Sequence, residues 1–291
     1  MHAEEALERV IASVGDLPAM PAVVSEVLRM TEDPASELAQ VGRTVQADPA
    51  LTAKILRVAN SSYYGMKQYV GTLKLALVIL GVREIRNIVL GISVFETLRS
   101  KSDDVRTGQE IWSHSLRVAA IAKSLGAEMG LGLQGEEFIT GLLHDIGKMV
   151  LLCQLGKGYA RIYDEYKNDQ QALYTVEQEE FGFTNADVAM ALARRWNLPQ
   201  GLADALWYQY PDPDRPLRNA KDPKLAAVVR IAKRAARDDF SLAEATAIKA
   251  LQDTEAWESL EGVKRVITPD MRREVLARFV QKVTEGPEIP F

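Results

Sequence analysis

Apolar residues recur at three- and four-residue intervals along almost the whole chain, and that period belongs to helices rather than strands. Leu7, Val10, Ile11 and Val14 share one helical face, and Val23, Val24, Val27 and Leu28 share another. The helices also announce their starts. Asp33-Pro34 and Asp48-Pro49 each place a capping aspartate before a proline, and Thr268-Pro269 does the same with threonine. The capping oxygen accepts a free N–H of the first turn, and proline at the first helical position lacks a donor that would go unused there. Leu38, Val41 and Val45 follow the first of these starts; Leu51, Ile55 and Val58 follow the second. Two further helices are expected at about 72–80 and 82–98, broken at Gly81. Later ones are expected to begin near Gln109, Gln134, Thr184 and Pro199, with others over 222–238, 241–251 and 268–284. No stretch alternates as a strand would, so the class is all-α.

Two stretches interrupt the pattern. Residues 100–108 hold a single apolar residue, Val105, and read as a connector between lobes; the proline-rich run Tyr208 to Asp222 reads as a second linker. With 291 residues, one large domain or two small ones are open. The net charge of −5 gives no general attraction to a nucleic-acid backbone or an anionic membrane, so neither DNA nor membrane is expected as a partner. A single cysteine, Cys153, excludes an internal disulfide framework and any cysteine-based zinc cluster, which fits a reducing compartment. The acidic start of the chain is unlike a secretory leader, and the longest apolar runs, Leu75 to Val82 and Ile88 to Phe95, are split by charges. A cytoplasmic protein is expected.

Chemistry concentrates around two of the three histidines. His114 lies in Trp112-Ser113-His114-Ser115, on the face of Ile111, Ser115 and Val118. His144 opens His144-Asp145-Ile146-Gly147-Lys148. Neighbours on a helix point about 100° apart, so His144 and Asp145 can serve one metal only where a helix ends or bends. Gly147 permits such a bend and a close backbone approach by a ligand. Two readings stay open: hydrogen-bonded core histidines with Asp145 as a helix cap, or metal ligands.

These motifs resemble the HD superfamily of metal-dependent phosphohydrolases. The resemblance narrows with Leu17-Pro18-Ala19-Met20-Pro21, the run Asp48 to Arg57, Ala59-Asn60-Ser61, Leu75 to Gly81, Phe181-Gly182 and Trp196-Asn197-Leu198-Pro199. Together they resemble the HDOD family, the HD-related output domains of bacterial signalling, over roughly residues 16–212. That likeness implies two helical lobes after an N-terminal helix at 1–15, one lobe to about residue 100 and an HD-like lobe from about 108. Residues 213–291 would add helices that complete and extend the second. It further implies His114, His144 and Asp145 as the remnant of a metal set. A later aspartate of that set is expected where this chain has Lys233, and auxiliary histidines where it has Asn185 and Gln209 or Tyr210.

A protonated amine repels a metal, so the likeness implies a degenerate site: no resident cofactor, or at most one divalent metal on three ligands. If Lys233 lies beside Asp145, its amine would stand in for the metal's charge. Lys148 is the one candidate catalytic residue, divided between a phosphate contact and a helix-end charge. Arg230, Lys233, Arg234 and Arg237 share a helical face that reads either as an anion contact, together with Lys148, or as a solvated stripe balanced by Asp238 and Asp239. The function implied is non-catalytic signal transduction through protein contacts, in a cyclic-dinucleotide or two-component pathway reached in trans. The alternative is hydrolysis of a nucleotide or other phosphoester. Tyr63 and Tyr64 read either as packing and turn residues or as a partner surface, and Trp112, Trp196, Trp207 and Cys153 read as packing residues.

Overall fold

A computed structural model describes residues 19–20, 22–32, 38–60, 66, 68–99, 104–236, 252–260, 274 and 276. The helices expected at residues 7–14 and 241–251, the Asp33-Pro34 start, Tyr63 and Tyr64, and Arg237 with Asp238 and Asp239 lie outside the described residues, as does the helix expected at 268–284 except at residues 274 and 276, which are helical. Among the described residues there is no strand, and the chain is all-helical. They divide into two compact units, Ala19–Thr97 and the residues from Leu98 onward.

The first unit is built from α1 (Ala22–Glu32), α2 (Leu38–Gln46), α3 (Pro49–Ala59), α4 (Leu73–Leu80) and α5, which starts at Val82 and ends at Arg99. Asp48 caps α3 as its position suggests, accepting from Leu51 N at 3.0 Å with Pro49 in the first turn. Gly81 has φ +82°, a conformation that halts α4 without a Cβ penalty and lets α5 begin at once. Val41, Val45, Leu51, Ile55, Leu73 and Ala76 are buried, so α2, α3 and α4 close one core. Asn60 ties the chain after α3 to the approach to α4: its amide bridges Val70 N and O at 2.7 and 2.9 Å. The outward face of α4 carries Val78 and Ile79 in water, with Tyr69 exposed just before the helix.

The second unit comprises α6 (Val105–Glu128), α7 (Glu136–Leu143), α8 (Ile146–Leu155), α9 (Lys157–Tyr166), α10 (Gln170–Phe181), α11 (Asn185–Arg195) and α12 (Gln200–Trp207). A short 3-10 turn (Leu217–Asn219), α13 (Pro223–Ala235) and α14 (Thr254–Leu260) follow. The long α6 begins earlier than the polar stretch suggested, because Asp104 caps it by accepting from Thr107 N at 2.9 Å. Tyr208 to Asp222 is not a loose linker either. Tyr208, Gln209, Tyr210, Leu217 and Ala220 are buried, and the segment packs on α13 and α14. Trp112 and Trp196 are buried, Trp207 is half-buried, and so is Cys153, whose thiol donates to Leu98 O at 3.1 Å.

Residues Glu136–Leu155 are apolar enough to pass for a membrane span by composition, yet most of that stretch is buried within the protein. They form two helices, not one. α7 ends at Leu143 and α8 starts at Ile146, with His144 and Asp145 at the break. Two glycines hold this pair in place by close approach. A Cβ on Gly141 would lie 2.8 Å from Ala119 Cα, and one on Gly147 would lie 1.8 Å from Asn185 O. Gly147 thus admits the backbone of α11, not a ligand as its place in the motif suggested. Gly147→Ala should cost about 3 kcal/mol of unfolding free energy or more, since rigid backbone must retreat to admit the methyl. Urea unfolding of the purified variant measures it.

Candidate functional site

His114 sits midway along α6, and the α7–α8 break turns His144 and Asp145 toward it. All three are buried. Each imidazole has its Nδ1 against a backbone carbonyl: His144 against Gly141 O at 2.7 Å, and His114 against Ala236 O at 3.2 Å. A carbonyl only accepts, so Nδ1 carries a proton in both rings, and in the neutral imidazole that burial favours each Nε2 is a lone pair. These lone pairs face Asp145, with His144 Nε2 at 3.1 Å from Oδ1 and His114 Nε2 at 4.0 Å from Oδ2. The rings meet edge-on, 5.3 Å between centroids. Burial pushes both imidazoles down from the ordinary histidine value, against the opposing charge of Asp145.

Asp145 occupies the N-cap position of α8, yet its carboxylate makes no capping bond. It faces two lysines instead. Lys148 Nζ donates to Oδ2 at 2.8 Å, one turn further along α8, and also to Gln170 Oε1 at 2.6 Å. Lys233 Nζ comes from α13 to 3.4 Å from Oδ1. It donates to Gln209 Oε1 at 2.6 Å and lies 3.6 Å from the centre of the Tyr210 ring. Burial alone would raise the Asp145 carboxyl, but His144, Lys148 and Lys233 outweigh it and hold it well below the usual carboxylate range. Burial pushes Lys233 well below an ordinary lysine, with Asp145 pulling the other way.

A second buried acid, Glu177 of α10, stands behind the lysines. It accepts from Tyr159 OH at 2.5 Å and from both the backbone N and Nδ2 of Asn185 at 2.6 Å, and burial raises its carboxyl above the ordinary value. Asn185 also meets Tyr210 OH, at 3.0 Å from Nδ2. Periodicity passed over Glu177, Tyr159 and Gln170. The only signal was spacing: Glu177 falls four residues after the buried Leu173 on the same helix face.

Of the described residues of the basic stripe, Arg230, Lys233 and Arg234, only Lys233 enters the site. Arg230 is fully buried, donates twice to Tyr208 O at 3.0 and 2.8 Å, and pairs with Glu255 at 2.8 Å. Arg234 Nε lies 3.4 Å from Asp253. Neither the anion contact nor the solvated stripe describes these two arginines. The acids beside α14 claim them, which proximity along α13 could not reveal.

Three atoms of the site accept no hydrogen bond although buried: His114 Nε2, His144 Nε2 and Asp145 Oδ1. One donor atom from each of His114, His144 and Asp145 lies within 4.8 Å of the others, as a shared metal requires. The donors therefore fit one metal ion of the kind that two imidazoles and a carboxylate hold. Among the described residues no second ligand set adjoins it, and Asn185, Gln209 and Tyr210 are spent on other bonds.

An all-helical second unit with a buried histidine–aspartate site at a helix break defines an HD-type protein. The chain belongs to the HDOD domain family, whose model matches residues 17–211. It is similar in fold to an HDOD domain protein of unknown function from Geobacter sulfurreducens, with TM-score 0.77, 20% identity and 98% of both chains covered. It is also similar to a candidate phosphohydrolase from Shewanella amazonensis SB2B, with TM-score 0.66, 25% identity, 96% of this chain and 98% of that one. An uncharacterized protein of Treponema pallidum (strain Nichols) is 23% identical over 70% of this chain, which spans 39% of that relative's length.

The buried neutral imidazoles set a pH dependence. An unfolded histidine takes up a proton below about pH 6.5 and these two resist it, so acid favours the unfolded chain. Stability should fall from pH 7 to pH 5 by up to about 1.4 kcal/mol per unit for each histidine. Glu177 opposes this in part, because its raised carboxyl gains a proton in the folded protein first. His144→Gln should remove about half of the histidine slope in a series of unfolding curves.

Proposed function

We propose that the protein is a non-catalytic regulatory module that acts through protein contacts, with its HD-type site retained as a structural centre. One observation carries this reading. Both oxygens of the site's carboxylate face lysine amines, Lys148 on Oδ2 and Lys233 near Oδ1. Hydrolysis of a phosphoester needs an attacking water and a bound phosphoryl group side by side, and charge that waits for the transition state. Here the nearest donors are committed to Asp145, Gln170 and Gln209. A metal held by His114, His144 and Asp145 would supply a Lewis acid and an acidified water; no oxygen ligand on α13 is there to complete its shell, as Lys233 takes that place.

The contact function rests on the first unit. Tyr69, Val78 and Ile79 expose apolar surface on and beside α4, a feature that suits a protein partner. A candidate signal transduction protein from Marinobacter aquaeolei VT8 shares the fold at TM-score 0.68 and 17% identity. The partners are signalling proteins of a cytoplasmic pathway.

The alternative, a metal-dependent phosphohydrolase, is favoured by the orphaned trio of ligand atoms. Assays with bis(p-nitrophenyl) phosphate and cyclic dinucleotides, in Mn2+ or Zn2+, separate the two. Wild type and His144→Ala should give the same background rate. Metal-dependent turnover lost in His144→Ala overturns the regulatory reading.

A further inference from the structure

The surroundings of Lys233 are built to hold a cation. Gln209 spends both N–H groups of its amide on backbone carbonyls, His144 O at 2.6 Å and Leu206 O at 2.8 Å. Its oxygen is thereby aimed at Lys233 Nζ, 2.6 Å away, and the amide cannot turn over without placing an N–H against the amine. Tyr210 presents its ring face to the same nitrogen, fixed by Asn185 at its hydroxyl and by the Tyr174 ring 4.9 Å away. Asp145 Oδ1 closes the third side. An oxygen, a π-face and a carboxylate surround the amine, and it is almost wholly buried. The aspartate oxygen nearest to it is also the one turned to His144.

We propose that Lys233 is the resident cation of this site and excludes divalent metal from the His114–His144–Asp145 ligands. The inference rests on the regulatory reading above and deepens it. Charge within the buried cluster makes the argument. Asp145 and Glu177 are its acids, Lys148 and Lys233 its bases, so with all four ionised the cluster is neutral. A divalent ion on the histidines would leave it doubly positive in a medium that tolerates no unpaired charge. Exchanging Lys233 for an acid makes it doubly negative, and a divalent ion then restores neutrality. Exchanging it for methionine leaves one net negative charge and an open flank on Oδ1. The histidine tautomers need no change in either case, as Gly141 O and Ala236 O already direct both lone pairs inward.

The test is metal affinity and thermal shift with Zn2+ alone, on chelator-stripped wild type, His144→Ala, Lys233→Met, Lys233→Asp and Lys233→Asp/His144→Ala, each checked for helical content. Wild type should take up no stoichiometric Zn2+ and show no Zn2+-dependent rise in melting temperature. Lys233→Met should bind Zn2+ on the order of a hundredfold more tightly than wild type, and Lys233→Asp more tightly still. Both should melt higher with Zn2+, and the added His144→Ala should cancel the gain. Stoichiometric Zn2+ on the wild type that His144→Ala removes overturns the proposal, as do folded Lys233 variants that bind no better than wild type. Should Lys233→Asp fail to fold, Lys233→Met decides. The regulatory reading survives any of these outcomes unless bound metal also brings phosphoester turnover, so the two failures are distinguishable.

Discussion

A carboxylate taken out of water must be neutralised, and the second unit is organised around that requirement at Asp145. The residue is reached from three directions. α6 brings His114, α8 brings Lys148 and α13 brings Lys233, while the break before α8 sets His144 against the same group. Gln170 and Gln209 then accept from the two lysines, while Glu177 and Asn185 bond to each other behind them. The arrangement ties helices that are far apart in sequence to one oxygen pair. It also explains the tight glycines: Gly141 and Gly147 let α7 and α8 approach α6 and α11 closely enough for the polar groups to meet.

Helices were legible because burial on one face imposes a period that sequence displays directly. A cap was legible where an aspartate stood before a proline and an apolar run, as at Asp48, and the helix start near Thr184 was legible too. Asp104 escaped because it lies among other polar residues, where one capping oxygen looks like any other. Tyr208 to Asp222 was misread for a related reason. Proline excludes regular helix but not burial, and this segment supplies Tyr208 O to Arg230 as well as Gln209 and Tyr210 to Lys233.

The site was legible as far as the family resemblance reaches. His114, His144 and Asp145 come together, and Lys233 lies beside Asp145, because motif residues occupy positions fixed by the helices that bear them. Partners chosen by tertiary contact were not legible. Arg230, Lys233 and Arg234 share one helix, yet Arg230 and Arg234 pair with Glu255 and Asp253 while Lys233 pairs with Asp145. Charge alone assigns all three to one face. Only the packing of α14 and of the segment after α12 separates them.

Lysine and metal answer the same electrostatic demand in different ways. A metal gathers lone pairs at short range and keeps a position for water, so its charge is available to a substrate. An amine supplies hydrogens that are used up by the acceptors around it. Lys233 gives Gln209 one of its hydrogens and holds Asp145 Oδ1 at ion-pair distance, with an aromatic face closing the remaining side. Two imidazole lone pairs stay without a donor, an uncompensated cost of about 1–3 kcal/mol each when buried. The lysine thus balances the site's charge without completing its coordination. Such a centre braces the helices that meet at Asp145, with an amine where a metal would keep a position for water.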